Sequence, residues 1–292
     1  MKIPFLDYGG SGKSIHFLHA NGYPPACYEP LLKIFTSEYH AFGMLLRPLW
    51  KGSDPLDITD WNPFSEDLLK FLEEQSCDHL IAIGHSIGAT VTLRAALKEP
   101  KPFQALVLIE PVFFSPFTML GWNLARAFRL GHRLQPKIEG ALKRRQEFDD
   151  LDQVFDGYRR RAIFRFFSDE NLRIMIRGLT NPDRINMDDG LTREGYKLAF
   201  SPEWEARIYF TGIWRDWDLW KDIPRLEIPT LILRGADTDT FWESTSRSVR
   251  KRNPRIRIVT MEKSTHLLPL EKPQEVFLIT QAFLEDVERG RV

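Results

Sequence analysis

The chain has 292 residues, 43% of them hydrophobic and 12% aromatic, which is enough to bury a sizeable core and too much for a disordered composition. Forty basic residues balance forty acidic ones, and that balance argues against a nucleic-acid binder, which normally carries a basic excess on one face. The longest apolar stretch, 105–114, is interrupted by Glu110 and Pro111, so no membrane span is expected.

The opening residues contain no apolar run of signal-peptide length. Cys27 and Cys77 read as free thiols, and a reducing cytoplasm is the expected location. Gly9-Gly10-Ser11-Gly12-Lys13-Ser14 superficially resembles a phosphate-binding loop. The full pattern needs a glycine where Asp7 stands and a helix where a strand is predicted, so the segment is read as a turn and no cofactor is expected.

Nearly continuous apolar runs predict strands over 15–19, 41–46, 79–83, 105–109, 230–234 and 256–261. Between them, helical spacing predicts helices over 28–37, 64–75, 87–98 and 274–287, the last after Pro273, a residue suited to a first helical turn. This alternation signals an α/β fold with a mostly parallel sheet flanked by helices. It stops between 115 and 223, which reads as an inserted helical cap rich in Arg, Phe and Trp. The expected organisation is therefore a first core part over 1–114, the cap over 115–223 and a second core part over 224–292.

Gly84-His85-Ser86-Ile87-Gly88 joins a predicted strand to a predicted helix. A serine on such a turn is strained, its flanking glycines make room, and its hydroxyl projects above the sheet at a helix N-terminus. A serine hydroxyl needs a neighbouring general base at neutral pH. Among seven histidines, His266 is the best placed, in a loop between the last predicted strand and the last helix.

On these residues, with the loop His19-Ala20-Asn21-Gly22 and the acidic loop near Asp239, the chain resembles the α/β-hydrolase superfamily over essentially its whole length. The resemblance implies a nucleophile–acid–histidine order, which Ser86, Asp239 and His266 follow. Asp237 and Asp239 both fit the loop after the strand over 230–234, and the spacing from Gly235 favours Asp239; Glu110, ending another strand, is a further candidate. The oxyanion donors implied are the backbone N–H groups of Ile87 and Asn21, with His19 pinning its loop. Thr265 stands where many relatives have glycine.

Other signals have plainer readings. His16 and His19 lie three apart on a predicted strand and so face opposite ways, which excludes a shared metal; no metal site is expected. Arg159-Arg160-Arg161 reads as a solvated helix face. The segment 126–145 holds seven basic residues and Glu139 as its one acid; it reads as a solvated helix, with attraction of an anionic substrate or surface as the alternative.

The resemblance implies a serine hydrolase that cleaves an ester or related small-molecule acyl compound, carboxylesterase-like, through an acyl-enzyme on Ser86. Carbon–carbon cleavage by the same three residues, or a non-catalytic ligand-binding role, are the alternatives. Dehalogenase and epoxide-hydrolase chemistry would need a carboxylate at position 86.

Overall fold

The computed structural model describes residues 2–128, 136–186, 192–212 and 216–292. Seven strands form one sheet in the order β1-β3-β2-β4-β5-β9-β10. They are β1 (Phe5–Gly9), β2 (Ser14–Leu18), β3 (His40–Met44), β4 (Leu80–His85), β5 (Phe103–Ile109), β9 (Thr230–Gly235) and β10 (Arg257–Met261). Only the β1–β3 pair is antiparallel. This is the expected α/β-hydrolase architecture, with strand bounds close to those read from the apolar runs. The exception is β1, an edge strand with no buried residue, whose sequence Phe5-Leu6-Asp7-Tyr8-Gly9 carries no apolar alternation to detect.

Side-chain alternation divides the core between the two faces of the sheet. On β4, Leu80 and Ala82 join one apolar cluster, while Ile81 and Ile83 join the other. Helices α2 (Asn62–Glu74) and α3 (Ile87–Lys98) cover the first face, supplying Phe64, Leu68, Phe71 and Val91. Helix α1 (Glu29–Phe35) and the C-terminal helix Pro273–Glu288 cover the second with Leu31, Phe35, Val276 and Phe283. Both faces being covered explains why the central strands are apolar throughout rather than alternating.

The stretch 115–223 departs from the expected all-helical insertion. It contains α4 (Pro116–Ala127) and α5 (Pro136–Leu142), further helices, and a three-stranded antiparallel sheet ordered β6-β8-β7, built from β6 (Glu147–Phe148), β7 (Thr180–Asn186) and β8 (Thr192–Leu198). Asn181-Pro182-Asp183, which reads locally as a turn, lies within β7. An edge strand can omit one ladder donor, so Pro182 is tolerated there. This stretch shares its core with the sheet: Met119, Trp122, Phe200, Trp204 and Trp220 belong to the same cluster as α2 and α3. A buried Arg94–Asp216 ion pair at 2.5 Å ties α3 to the insertion's exit. Among the described residues, no helix is long and apolar enough to cross a membrane.

Candidate active site

Ser86 sits between β4 and α3 with φ +56° and ψ −120°, a left-handed backbone that an L-residue adopts only under constraint. The constraint is close packing on both sides. A Cβ on Gly84 would lie 2.5 Å from the Gly88 carbonyl oxygen, and one on Gly88 would lie 2.2 Å from that of Leu18. Only glycine fits at either position, and the turn delivers the Ser86 hydroxyl to the N-terminal end of α3.

His266 follows β10 and accepts the Ser86 hydroxyl at Nε2, 2.9 Å away. Its loop is pinned by a buried carboxylate: Glu271 accepts from the Thr265 backbone N–H at 2.8 Å and from the Thr265 hydroxyl at 2.6 Å. Burial raises the Glu271 pKa, partly offset by those two bonds. Thr265 therefore has a structural partner of its own.

The carboxylate beside His266 is that of Glu110, where that of Asp239 was expected. Glu110 directly follows β5, with φ +49°, and is fully buried. Its Oε2 accepts from His266 Nδ1 at 3.1 Å and from the Thr238 hydroxyl at 2.5 Å, and its Oε1 accepts from the Gly235 backbone N–H at 2.6 Å. Ile109 and Leu233 are paired neighbours on β5 and β9, so the end of β9 and the loop after it supply donors to a carboxylate just past the end of the adjacent strand. Asp239 points elsewhere, 3.1 Å from Lys137 Nζ. Burial raises its carboxyl, but Lys137 and His266 outweigh that and hold it below the ordinary value. Asp237 lies 3.5 Å from Arg165. Glu110 could be suspected in sequence because it is a carboxylate capping an otherwise apolar strand.

Two further residues escaped sequence reasoning. His85 is buried, with Nε2 2.8 Å from the His266 carbonyl oxygen and Nδ1 2.7 Å from the Tyr28 hydroxyl. Tyr28 in turn accepts from the Ala20 backbone N–H at 3.2 Å. Donor and acceptor roles then follow from the ends inward. The carbonyl can only accept, so Nε2 of His85 carries the proton, and the Tyr28 hydroxyl donates to Nδ1. Burial, reinforced by the neighbouring His266, lowers the His85 pKa well below its usual value, which keeps it in this neutral form. One buried chain thus links the 19–22 loop to the backbone of His266.

His19 pins its loop as expected: Nδ1 bonds to the Ala20 carbonyl at 2.9 Å and Nε2 accepts from the Leu46 N–H at 3.2 Å. Burial lowers its pKa to about 4, although bonds to the Ala20 and Tyr23 backbone oppose the shift. Asn21 is buried, donates from Nδ2 to the Glu205 carbonyl at 3.1 Å, and its Oδ1 has no partner among the described residues. Asn21, Ser86, Ile87 and His266 line one cavity of about 660 Å³, within the usual range for small-molecule sites.

The insertion forms much of the wall of that cavity. Among the aromatics near the two ends of 115–223, Phe114 and Tyr209 line the cavity. Phe113, Trp122, Trp204 and Trp220 are buried in the core, and Phe117 is exposed. Trp214 lies outside the described residues. Lys137 and Arg144, from the basic 126–145 segment, also face the cavity, as does Arg161.

Residues 17–278 match the sequence signature described as the alpha/beta hydrolase family. The chain belongs to that family. A proline iminopeptidase of Saccharolobus solfataricus is 22% identical over 286 residues, covering 95% of this chain and 86% of the relative. A pimeloyl-[acyl-carrier protein] methyl ester esterase of Legionella pneumophila is 20% identical over 264 residues, covering 90% and 91%. Among solved structures, that of E-2-(acetamidomethylene)succinate hydrolase superposes with a TM-score of 0.74 at 20% identity, covering 96% of this chain and 94% of the other. These relatives are hydrolases, and the family supports a hydrolase here.

Proposed function

We propose that this α/β-hydrolase is a serine hydrolase cleaving an ester or related acyl compound, with Ser86 as nucleophile, His266 as general base and Glu110 as the orienting acid. The supporting observation is the unbroken series Glu110 Oε2–His266 Nδ1 at 3.1 Å and His266 Nε2–Ser86 Oγ at 2.9 Å. A carboxylate only accepts, so the His266 proton lies on Nδ1 and Nε2 is free to take the proton of Ser86. Attack of Oγ on the acyl carbon breaks the carbonyl π bond and places charge on its oxygen. The backbone N–H of Ile87, at a helix start where no intrahelical acceptor exists, and that of Asn21 are the proposed donors to that oxygen. Collapse expels the leaving group, which takes the proton from Nε2. Water then repeats the cycle, and Nε2 returns the proton to Oγ.

The same three side chains would serve amide substrates, and the names of the full-length relatives include both a peptidase and an ester hydrolase. The test is covalent labelling. A fluorophosphonate is expected to add once, on Ser86, and Ser86→Ala is expected to abolish labelling and turnover of p-nitrophenyl butyrate together. Labelling that survives Ser86→Ala refutes the assignment.

A further inference from the structure

The charged residues lining the cavity are not balanced. Three cations face it, Lys137, Arg144 and Arg161, against two carboxylates, Glu205 and Asp239. Each carboxylate already holds a cation: Arg144 Nη1 lies 2.6 Å from Glu205 Oε2, and Lys137 Nζ lies 3.1 Å from Asp239 Oδ2. Arg161 has no carboxylate partner among the described residues; its guanidinium sits 4.9 Å from the ring centroid of Tyr158. The Tyr158 hydroxyl lies 3.4 Å from Arg144 Nη2. Tyr158 is therefore flanked by two guanidinium groups, one at its ring and one at its hydroxyl. Burial works against the charge on Arg144, but Glu205, Tyr158 and Tyr23 more than compensate and raise its pKa, so it stays a cation inside the wall.

We infer that the substrate carries a carboxylate, seated beside Tyr158 between Arg161 and Arg144, while its acyl carbon meets Ser86. This rests on the hydrolase reading above and narrows it to anionic acyl compounds, such as half-esters of dicarboxylic acids. The sign follows from the pairing. A cationic ligand would have to displace Lys137 or Arg144 from its acid, whereas a carboxylate meets an arginine that no acid has claimed. Guanidinium groups suit the role because their planar donors match two carboxylate oxygens at once. A low-dielectric wall strengthens the attraction relative to open water, and the exposed position of Arg161 at the rim makes it salt-sensitive.

The competing account is that Arg161 is merely solvated and the cavity takes neutral acyl chains. Mono-p-nitrophenyl succinate, glutarate and adipate, compared with the neutral p-nitrophenyl esters of matching length, decide between them. At one or more lengths the anionic ester is expected to exceed its neutral counterpart in kcat/KM by about tenfold at low salt, with the advantage shrinking as salt is added. Arg161→Gln should reduce the anionic-to-neutral ratio by about tenfold, and Arg161→Glu should invert it. A neutral preference at every length, or a ratio that Arg161→Glu does not move, overturns the inference.

Calorimetry on Ser86→Ala separates the two layers of the argument. It should bind monomethyl glutarate and take up methyl valerate much more weakly. That discrimination with no turnover of any ester by the native protein would remove the ester-hydrolase reading and keep the carboxylate site. Turnover of esters with equal binding of the two ligands would do the reverse.

Discussion

Glu110→Gln is the substitution on which the mechanism is most exposed, because the surroundings dictate how glutamine must lie. Oε1 of Glu110 accepts from the Gly235 N–H at 2.6 Å, so the amide oxygen of glutamine is held there. The amide nitrogen must then occupy the Oε2 position, facing His266 Nδ1 at 3.1 Å. An NH2 group there donates, which drives the His266 proton onto Nε2 and turns that atom from an acceptor of the Ser86 proton into a donor to Ser86 Oγ. The base is lost although the shape is kept. In serine hydrolases generally, such a carboxylate-to-amide change lowers kcat by about 10⁴, or roughly 5.5 kcal/mol of transition-state stabilisation. Asp239→Asn should act differently: this half-exposed carboxylate pairs with Lys137 and influences His266 only through space, so a loss of about tenfold or less is expected. The assay is kcat on p-nitrophenyl butyrate together with the rate of fluorophosphonate labelling, with thermal melting to verify that each variant folds. A folded Glu110→Gln protein retaining a tenth of the native kcat, or an Asp239→Asn protein losing a thousandfold, refutes the assignment of the acid.

Tyr28→Phe removes the hydroxyl that satisfies both the Ala20 N–H and His85 Nδ1; two buried groups left unpaired should cost about 1–3 kcal/mol each in stability. Because the chain ends on the His266 backbone, kcat should also fall about tenfold with little change in KM, whereas lowered stability with native kcat would mean that Tyr28 only supports the fold. Burial lowers the pKa of His16 to about 3 and that of His19 to about 4. Unfolded histidines bind protons below their usual value of 6.5, while these folded ones do not, so their contribution to stability falls as pH drops from about 6.5 towards 4. At pH 5 the loss should be about 2 kcal/mol per histidine, and denaturant midpoints equal at pH 5 and pH 7.5 would contradict it.

Local sequence determined the features that depend on short-range chemistry. The run 80–83 is apolar at every position because helices cover both faces of β4, and the glycines at 84 and 88 are fixed by contacts that no Cβ could share. The fold, and Ser86 and His266 as residues of one site, were legible for that reason. Which carboxylate lies beside His266 was not. Asp239 has the spacing, but which carboxylate reaches Nδ1 depends on how the ends of β5 and β9 lie side by side, and that pairing joins residues 125 apart in sequence. Thr238, which carries no acid itself, donates its hydroxyl to Glu110 Oε2. Strand β7 was hidden because Pro182 and its polar neighbours carry turn signals, and only pairing with β8 overrides them. Likewise the basic 126–145 segment has one composition whether it faces solvent or substrate. The tertiary structure decided that Lys137 and Arg144 face the cavity, because the direction of a side chain is set by what its segment packs against.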